Sequence, residues 1–246
     1  MKILISIDDT DDAQSKGTGE IAEMIGQALV DRGLATVGRV TRHQLLVHPD
    51  IAYTSHNSSM CFEAEISEDA LGEVTRVCAD VLTTESVEAA DPGLAIVVLS
   101  SLADAERLMA FGLEAKQRVL TKDEAYARAE ELGVHLSEHG GTGIGVIGAL
   151  AGAGLRLTGS DGRYKGKFRL RGDENDVATV ADIKREGVGA VRTLEGETLG
   201  DDERVLVADS AKLVLKDGAA VLLVRPLDAA GAAAWCPVDR KSLRSF

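Results

Sequence analysis

Four aspartates stand within five positions near the start of the chain, at Asp8, Asp9, Asp11 and Asp12. They follow directly on the apolar run KILISI, which is typical of a buried strand. Carboxylates held this close repel one another, and a divalent cation relieves the repulsion. Because ligands of open α/β sheets bind at strand ends, the cluster predicts a site for Mg²⁺ and a nucleotide. The alternative is a solvated turn that caps the next helix.

Two glycine-rich segments have the composition of phosphate-binding loops. GTGE at 17–20 opens a predicted helix, whose first N–H groups and dipole suit a phosphate; the alternative is an ordinary N-cap formed by Thr18 or Gly19. In EHGGTGIGVIGALAGAG at 138–154, the glycines at 140, 141, 143 and 145 allow a backbone to approach an anion. The Walker lysine is missing, so this is not a P-loop. The small residues that follow predict close helix packing.

Two further segments carry candidate ligand contacts. RYKGKFRLR places Arg163, Lys165, Lys167, Arg169 and Arg171 at strand period, so they are predicted to share one face. That face would contact phosphates of a nucleotide or RNA, or it is the solvated side of an edge strand. The polar loop at 48–59 contains His56, an acid/base or phosphate-contact candidate whose alternative is a plain exposed histidine.

The elements that must position these residues alternate between strand and helix. Strands are predicted at 2–7, 36–47 (with a bend), 60–66 and 93–100, and helices at 19–33, 67–82, about 102–112 and about 122–132. A strand, a glycine-rich loop and a helix follow at 133–157. The pattern predicts an α/β or α+β fold of layered sheet and helices over residues 1–167. Short strands with Gly, Asp and Asn turns predict a small antiparallel β-barrel or sandwich over residues 168–246.

Composition narrows the function classes. The 246 residues have a net charge of −13, which disfavours non-specific binding to a polyanion. We find no apolar run of roughly 18 residues, and the N-terminus is too short and acidic for a signal peptide, so a cytoplasmic protein without membrane contact is expected. Three scattered cysteines without a CxxC pair argue against a zinc ribbon and a disulfide framework.

Three motifs in one order resemble the archaeal agmatidine synthetases: IDDTD with a Gly-Thr near residue 18, the loop LLVHPDIAYTSHNSS, and GTGIGVIGALAGAGL. Members of that family attach agmatine to a wobble cytidine of an isoleucine tRNA. They use ATP and Mg²⁺ in an unusual kinase-like module, accompanied by a ferredoxin-like domain. The resemblance implies such a module within residues 1–167, with a ferredoxin-like segment at about 60–135.

The resemblance also implies roles for individual residues. Asp8, Asp9 and Asp11 would hold the metal, and Thr18 would accept a phosphate or contact the γ-phosphate. The expected phosphate-binding residues are Gly17, Gly19, Gly140, Gly141, Thr142, Gly143, Gly145 and Lys165. His56 and Asn57 are the expected substrate contacts.

The sequence thus predicts an ATP- and Mg²⁺-dependent phosphoryl-transfer enzyme that acts on a small molecule or a nucleobase. A tRNA is a less favoured partner, because of the net charge and the missing zinc ribbon. The alternatives are a non-catalytic nucleotide-binding regulatory protein and an RNA-binding module.

Overall fold

The computed structural model describes residues 1–12, 14–51, 57–169, 171–173, 176–207, 211–227, 233–239 and 242–243. The chain forms two compact units, Met1–Thr158 and Gly159–Phe246, which divide a few residues before the predicted boundary at 167. Within the described ranges, no helix is both long enough and apolar enough to cross a membrane.

The first unit is built on an antiparallel sheet. Its strands are β1 (Lys2–Asp8), β2 (Ala35–Val37), β3 (Thr41–Gln44), β4 (Ser58–Ile66), β5 (Gly93–Val98) and β6 (His135–Glu138). Their spatial order is β6-β5-β1-β4-β3, and β2 also pairs with β4. The predicted strand at 36–47 is therefore two short strands, β2 and β3, with the expected bend between them.

Helices cover both faces of this sheet. They are α1 (Thr18–Asp31), α2 (Leu71–Glu85, preceded by a 3-10 turn at Glu68–Ala70), α3 (Ala105–Glu114), α4 (Lys122–Leu132) and α5 (Val146–Leu157). The central strand β1 alternates its apolar residues: Ile3, Ile5 and Ile7 pack with α1 and α2, whereas Leu4 packs with α3, α4 and α5. The predicted layered α/β core is confirmed.

The first part of this unit has the split β-α-β topology of ferredoxin-like folds. The chain order is β1, α1, β3, β4, α2, β5, and the spatial order of the strands is β5-β1-β4-β3, with every neighbouring pair antiparallel. This arrangement covers Lys2–Val98, so it begins much earlier than the ferredoxin-like segment predicted at about 60–135. The sequence motifs did not locate it because strand order is a tertiary property.

Small residues let α5 approach the sheet and α3 closely. A Cβ on Gly152 would lie less than 3.0 Å from the hydroxyl oxygens of Ser6 and Ser59 on the sheet. A Cβ on Gly112 of α3 would lie 2.7 Å from the backbone nitrogen of Leu155. Real Cβ atoms almost never come so near, so the expected close packing of this helix is confirmed.

The second unit is a small β-rich body. Its elements are β7 (Arg163–Tyr164), β8 (Val177–Thr179), α6 (Val180–Arg185), β9 (Ala190–Thr193), β10 (Arg204–Leu206), β11 (Leu213–Lys216), β12 (Ala219–Pro226) and β13 (Trp235–Pro237). Most described pairings are antiparallel, but β12 with β9 and β10 with β13 are parallel. In the described residues of this unit the sheet is therefore mixed, not purely antiparallel, and it is accompanied by one short helix.

The predicted basic face in this unit is not a single strand. β7 ends at Tyr164, and Gly166 turns the chain at φ +86° before Phe168 forms an isolated bridge with Ala211. Alternation along a strand therefore does not place Arg163 through Arg171 on one face, and that prediction is wrong. Glycine at 166 matters because the positive φ is open to it at no steric cost.

Candidate active site

The acid cluster begins where β1 ends. Asp8 is the last residue of the strand and Asp9 turns the chain sharply, at φ +54°. Aspartate tolerates this left-handed conformation better than most residues. The Asp8 carboxylate lies against the first turn of α5, where a Cβ on Gly148 would overlap its Oδ2. The end of the central strand and the start of α5 thus meet at one carboxylate.

Asp11 is coupled to the start of α1. The Thr18 hydroxyl donates to Asp11 Oδ1 at 2.9 Å, and Thr18 is only 6% exposed. The N-cap of α1 is Gly17, without a side-chain cap, rather than Thr18 or Gly19. The interpretation of Thr18 or Gly19 as the helix cap is therefore wrong, because the threonine hydroxyl serves a carboxylate and not the helix backbone.

Asp12 separates from the other three aspartates. Its Oδ1 accepts from the backbone amides of Gln14 and Ser15, each at 2.9 Å, in an exposed turn. These bonds lower the pKa of Asp12 below its ordinary value, with the Gln14 amide as the largest cause. Each of the two interpretations of the acid cluster therefore holds for part of it. Asp12 lies in a solvated turn, whereas Asp8, Asp9 and Asp11 line a cavity.

Burial and mutual repulsion raise the pKa values of the first two carboxyls. Burial is the largest cause at Asp8, followed by the charge of Asp9, and its pKa rises to about 8. Burial is also first at Asp9, followed by the charges of Asp91 and Asp11, and its pKa rises to about 6. Such carboxyls are stabilised in their ionised form by a cation at the same place.

Asp91 is a fourth carboxylate at this site, and the sequence analysis missed it. It precedes β5, whose Gly93 pairs with Asp8 across the sheet. Its Oδ1 accepts a hydrogen bond from the Thr142 amide, and its carbonyl oxygen accepts from the Gly145 amide at 3.0 Å. Asp91 sits in a DPG sequence that indicates only a turn, and no sequence spacing relates it to residue 9.

The carboxylates line a cavity of about 460 Å³ together with the amino ends of two helices. Gly17, Thr18 and Gly19 belong to the start of α1, and Gly145, Ile147 and Gly148 to the start of α5. Helix amino ends present N–H groups and a partial positive charge, which suits phosphates. Carboxylates that could bind a cation and backbone amides that could bind an anion therefore line the same cavity.

The remaining wall contains seven apolar and six polar residues, and two of the polar residues are arginines. Its lining residues are Arg42, Leu45, Asp50, Ile51, Asn57, Ser58, Met60, Ala115, Arg118, Val119, Leu120, Thr142 and Ile144. Arg42 Nε donates to Ser58 Oγ at 2.9 Å, and Arg118 pairs with Glu114 at 2.6 Å and Glu124 at 2.8 Å. An apolar wall with a few fixed polar groups is typical of a site for a flat ring such as a nucleobase.

The structure brings most of the predicted phosphate-binding residues near this cavity. Gly17, Gly19, Thr142 and Gly145 line it directly. Gly141 and Gly143 shape the loop with φ of +52° and +68°, and a Cβ on Gly143 would overlap the Glu138 carboxylate. Gly140 packs against Pro92. Their contact with a phosphate stays a prediction.

The residues predicted to contact substrate, and Lys165, differ in whether they lie at this cavity. Asn57 lines the cavity, and its side-chain amide donates to the Leu46 carbonyl at 2.6 Å. His56 lies outside the described residues. Lys165 belongs to the second unit, where it follows β7 and is half-buried. The three cysteines, Cys61, Cys78 and Cys236, are all buried and free.

The carboxylates do not form a ready-made metal cage. Among the described residues, no group of three or more His, Cys, Asp or Glu side chains is arranged to hold a metal ion. Mg²⁺ commonly takes only one or two carboxylates and completes its shell with phosphate oxygens and water. Asp8, half-buried at the end of β1, and its charged neighbours therefore fit a cation that arrives with a nucleotide.

Among known proteins, similarity to this chain is found in solved structures. No family model matches the chain, and neither does any curated protein. Among solved structures, TiaS in complex with an isoleucine tRNA and ATP is 29% identical, with a TM-score of 0.55 over 63% of this chain and 36% of that chain. The chain is structurally similar to the tRNA agmatidine synthetases. The resemblance predicted from the motifs is confirmed.

Two further structures agree with this similarity to TiaS. Apo TiaS, a tRNA agmatidine synthetase, is 27% identical with a TM-score of 0.53, over 63% of this chain and 35% of that chain. A tRNA fluorescent labeling enzyme is 27% identical with a TM-score of 0.56, over 71% of this chain and 40% of that chain. The chain spans less than half the length of these structures.

The raised pKa values predict how stability depends on pH. Asp8 binds its proton more tightly in the folded than in the unfolded protein, so its contribution to stability is full below about pH 4. It is lost as the pH rises toward about 8. In buffer without divalent cations, we expect the free energy of unfolding to fall over this range, and Asp8→Asn to flatten the profile. Urea unfolding at a series of pH values measures this.

Asp12→Asn is the control for that profile. The pKa of Asp12 is lowered, so its contribution changes only below about pH 4 and its substitution leaves the slope between pH 4 and 8 as in the wild type. Identical slopes for wild type and Asp8→Asn would contradict the assignment of the raised pKa to Asp8.

Proposed function

We propose that this protein is an ATP- and Mg²⁺-dependent phosphoryl-transfer enzyme, related to TiaS, which activates a small molecule or a nucleobase. The observation that carries the proposal is the convergence of Asp8, Asp9 and Asp11 with the amino ends of α1 and α5 in one cavity. The structural similarity to TiaS, which was crystallised with ATP, supports the choice of nucleotide.

Each group has a chemical role in this proposal. Backbone amides at the starts of α1 and α5 bind the triphosphate of ATP and hold it in one orientation. One or two carboxylates from the set Asp8, Asp9 and Asp11 would hold Mg²⁺, which would supply positive charge against the transferring phosphoryl group. The apolar side chains around Leu120 would shield the reacting phosphate from water when the nucleotide is bound.

Thr18 is the proposed first acceptor of the phosphoryl group. Its hydroxyl oxygen attacks the γ-phosphorus of ATP, its proton passes to the Asp11 carboxylate at 2.9 Å, and ADP leaves with the bond electrons. A threonine hydroxyl is a weak nucleophile by itself, and an adjacent base in hydrogen-bond contact activates it. The final acceptor then attacks the phosphorus of the phosphorylated Thr18, and the Thr18 oxygen leaves with the bond electrons and takes its proton back from Asp11.

The final acceptor is proposed to be a small molecule or a nucleobase. The apolar wall and the arginines Arg42 and Arg118 suit a flat polar ring. The net charge of −13 disfavours a long polyanion at the same site. Because TiaS was crystallised with an isoleucine tRNA, a tRNA belongs among the acceptors to be tested.

Intact mass after incubation with ATP and Mg²⁺ tests the proposal. We expect wild type to gain one phosphate and to consume ATP, and Thr18→Ala to gain none. Thr83→Ala removes an exposed threonine hydroxyl of α2, which donates to the Ala79 carbonyl within the same helix, and should behave as wild type. ATP binding without mass gain or turnover would instead favour a regulatory nucleotide-binding protein. No ATP binding would refute both.

A further inference from the structure

Asp91 connects the acid cluster to the glycine-rich loop. Its carboxylate accepts from the Thr142 amide, and its carbonyl oxygen accepts from the Gly145 amide. The backbone of Asp91 also acts on the Asp9 carboxyl, whose pKa it lowers against the larger effect of burial. One residue before β5 therefore holds the loop and lies beside the turn that follows β1.

The Asp91 carboxylate occupies a position on the loop that suits an external anion. Gly141 has φ +52°, and a Cβ there would overlap Asp91 Oδ1, so glycine is what allows the loop to come this close. Successive amides in turns of this kind form small concavities that bind anions. In this protein the Asp91 carboxylate takes the place of such an anion and accepts the hydrogen bond of the Thr142 amide.

A nucleotide phosphate and Asp91 have charges of the same sign. The proposed phosphate site and Asp91 share one cavity, which Asp91, Thr142 and Asp9 line together. Without a cation, a phosphate near Thr142 must overcome the repulsion of Asp91 as well as that of the acid cluster. With a cation, the repulsion is relieved and the carboxylate can leave the amide.

We propose that Asp91 is the internal anion of the glycine-rich loop, which holds the Thr142 amide in the nucleotide-free protein and yields it to a phosphate of ATP. The inference rests on the proposed function, because only a ligand with phosphates in this cavity competes for that amide. Asp91 is thus a positioning residue that makes nucleotide binding depend on the metal.

Calorimetric titration with ATP, in Mg²⁺ and in EDTA, measures this dependence on wild type, Asp91→Asn and Glu88→Gln. Asparagine keeps an oxygen that can accept from the Thr142 amide but removes the charge. We expect Asp91→Asn to bind ATP in EDTA roughly three- to ten-fold more tightly than wild type, as one nearby like charge is removed. The ratio of the affinities in Mg²⁺ and EDTA should shrink by a similar factor.

Glu88→Gln is the matched control. It removes one negative charge from an exposed residue three positions before Asp91, outside the cavity lining, and should bind ATP as wild type does in both buffers. A similar gain in Glu88→Gln would show a general effect of net charge and would overturn the assignment to Asp91.

Amide hydrogen exchange gives a second measurement on the loop. In the absence of ATP, we expect Asp91→Ala to exchange faster at residues 140–145 than wild type, and Asp91→Asn to exchange at an intermediate rate. Saturating ATP with Mg²⁺ should restore protection in both variants, since a phosphate replaces the lost carboxylate. Unchanged exchange in Asp91→Ala would overturn the proposal.

The failures of the two proposals can be told apart. Wild type that binds no ATP in either buffer refutes the proposed function. Wild type that binds ATP, while Asp91→Asn binds it equally or more weakly in EDTA, overturns only the role of Asp91 and leaves the proposed function standing.

Discussion

Asp8→Asn is expected to lower the rate of ATP turnover at least about a hundred-fold while the protein stays folded. Asp8 is the carboxylate that touches the first turn of α5, where the phosphates are proposed to bind. Asparagine has the same shape but no charge, so it cannot neutralise a metal–phosphate pair. The unfolding midpoint at pH 8 should not fall, because the variant removes a half-buried carboxylate with two acidic neighbours.

Turnover is measured by release of ADP under saturating ATP and Mg²⁺, and folding by urea denaturation of the same preparations. Asp12→Asn provides the control, because Asp12 belongs to the same acid run but lies in an exposed turn. Its turnover should stay near that of wild type. Turnover by Asp8→Asn at the wild-type rate would refute the metal assignment.

Gly93→Ala is expected to damage both stability and nucleotide binding. A Cβ at this position would lie less than 3.0 Å from the backbone of Gly145 and Val146, at the start of α5. Backbone cannot rotate away as a side chain can, so α5 must shift from the sheet. We expect a loss of about 1–3 kcal/mol in the free energy of unfolding. ATP affinity should fall too, since α5 and Asp8 would separate.

Gly72→Ala is the matched control for that substitution. Gly72 lies exposed in α2, and a Cβ there meets no atom within 4 Å. Alanine is the better helix former, so this variant should be as stable as wild type or more stable by about 0.5–1 kcal/mol. Urea denaturation measures both variants. Equal stability of Gly93→Ala and Gly72→Ala would contradict the close contact between β5 and α5.

The local elements of the first unit follow from sequence periodicity. The apolar alternation of KILISI, the helical spacing after residue 18 and the small-residue run after residue 145 each predicted the element that the structure contains. These patterns are local, so a single sequence reveals them. The alternating basic residues from 163 onward predicted one continuous strand. That prediction is wrong because Gly166, at a positive φ, turns the chain after β7.

The candidate site was predicted only in part. The sequence by itself determined that carboxylates follow a buried strand and that two glycine-rich segments open helices, because both are properties of neighbouring residues. Only the tertiary structure decided that Asp12 turns to solvent, that Thr18 bonds to Asp11, and that Asp91 joins the site. Asp91 is 82 positions from Asp9, and only the pairing of β1 with β5 brings them together.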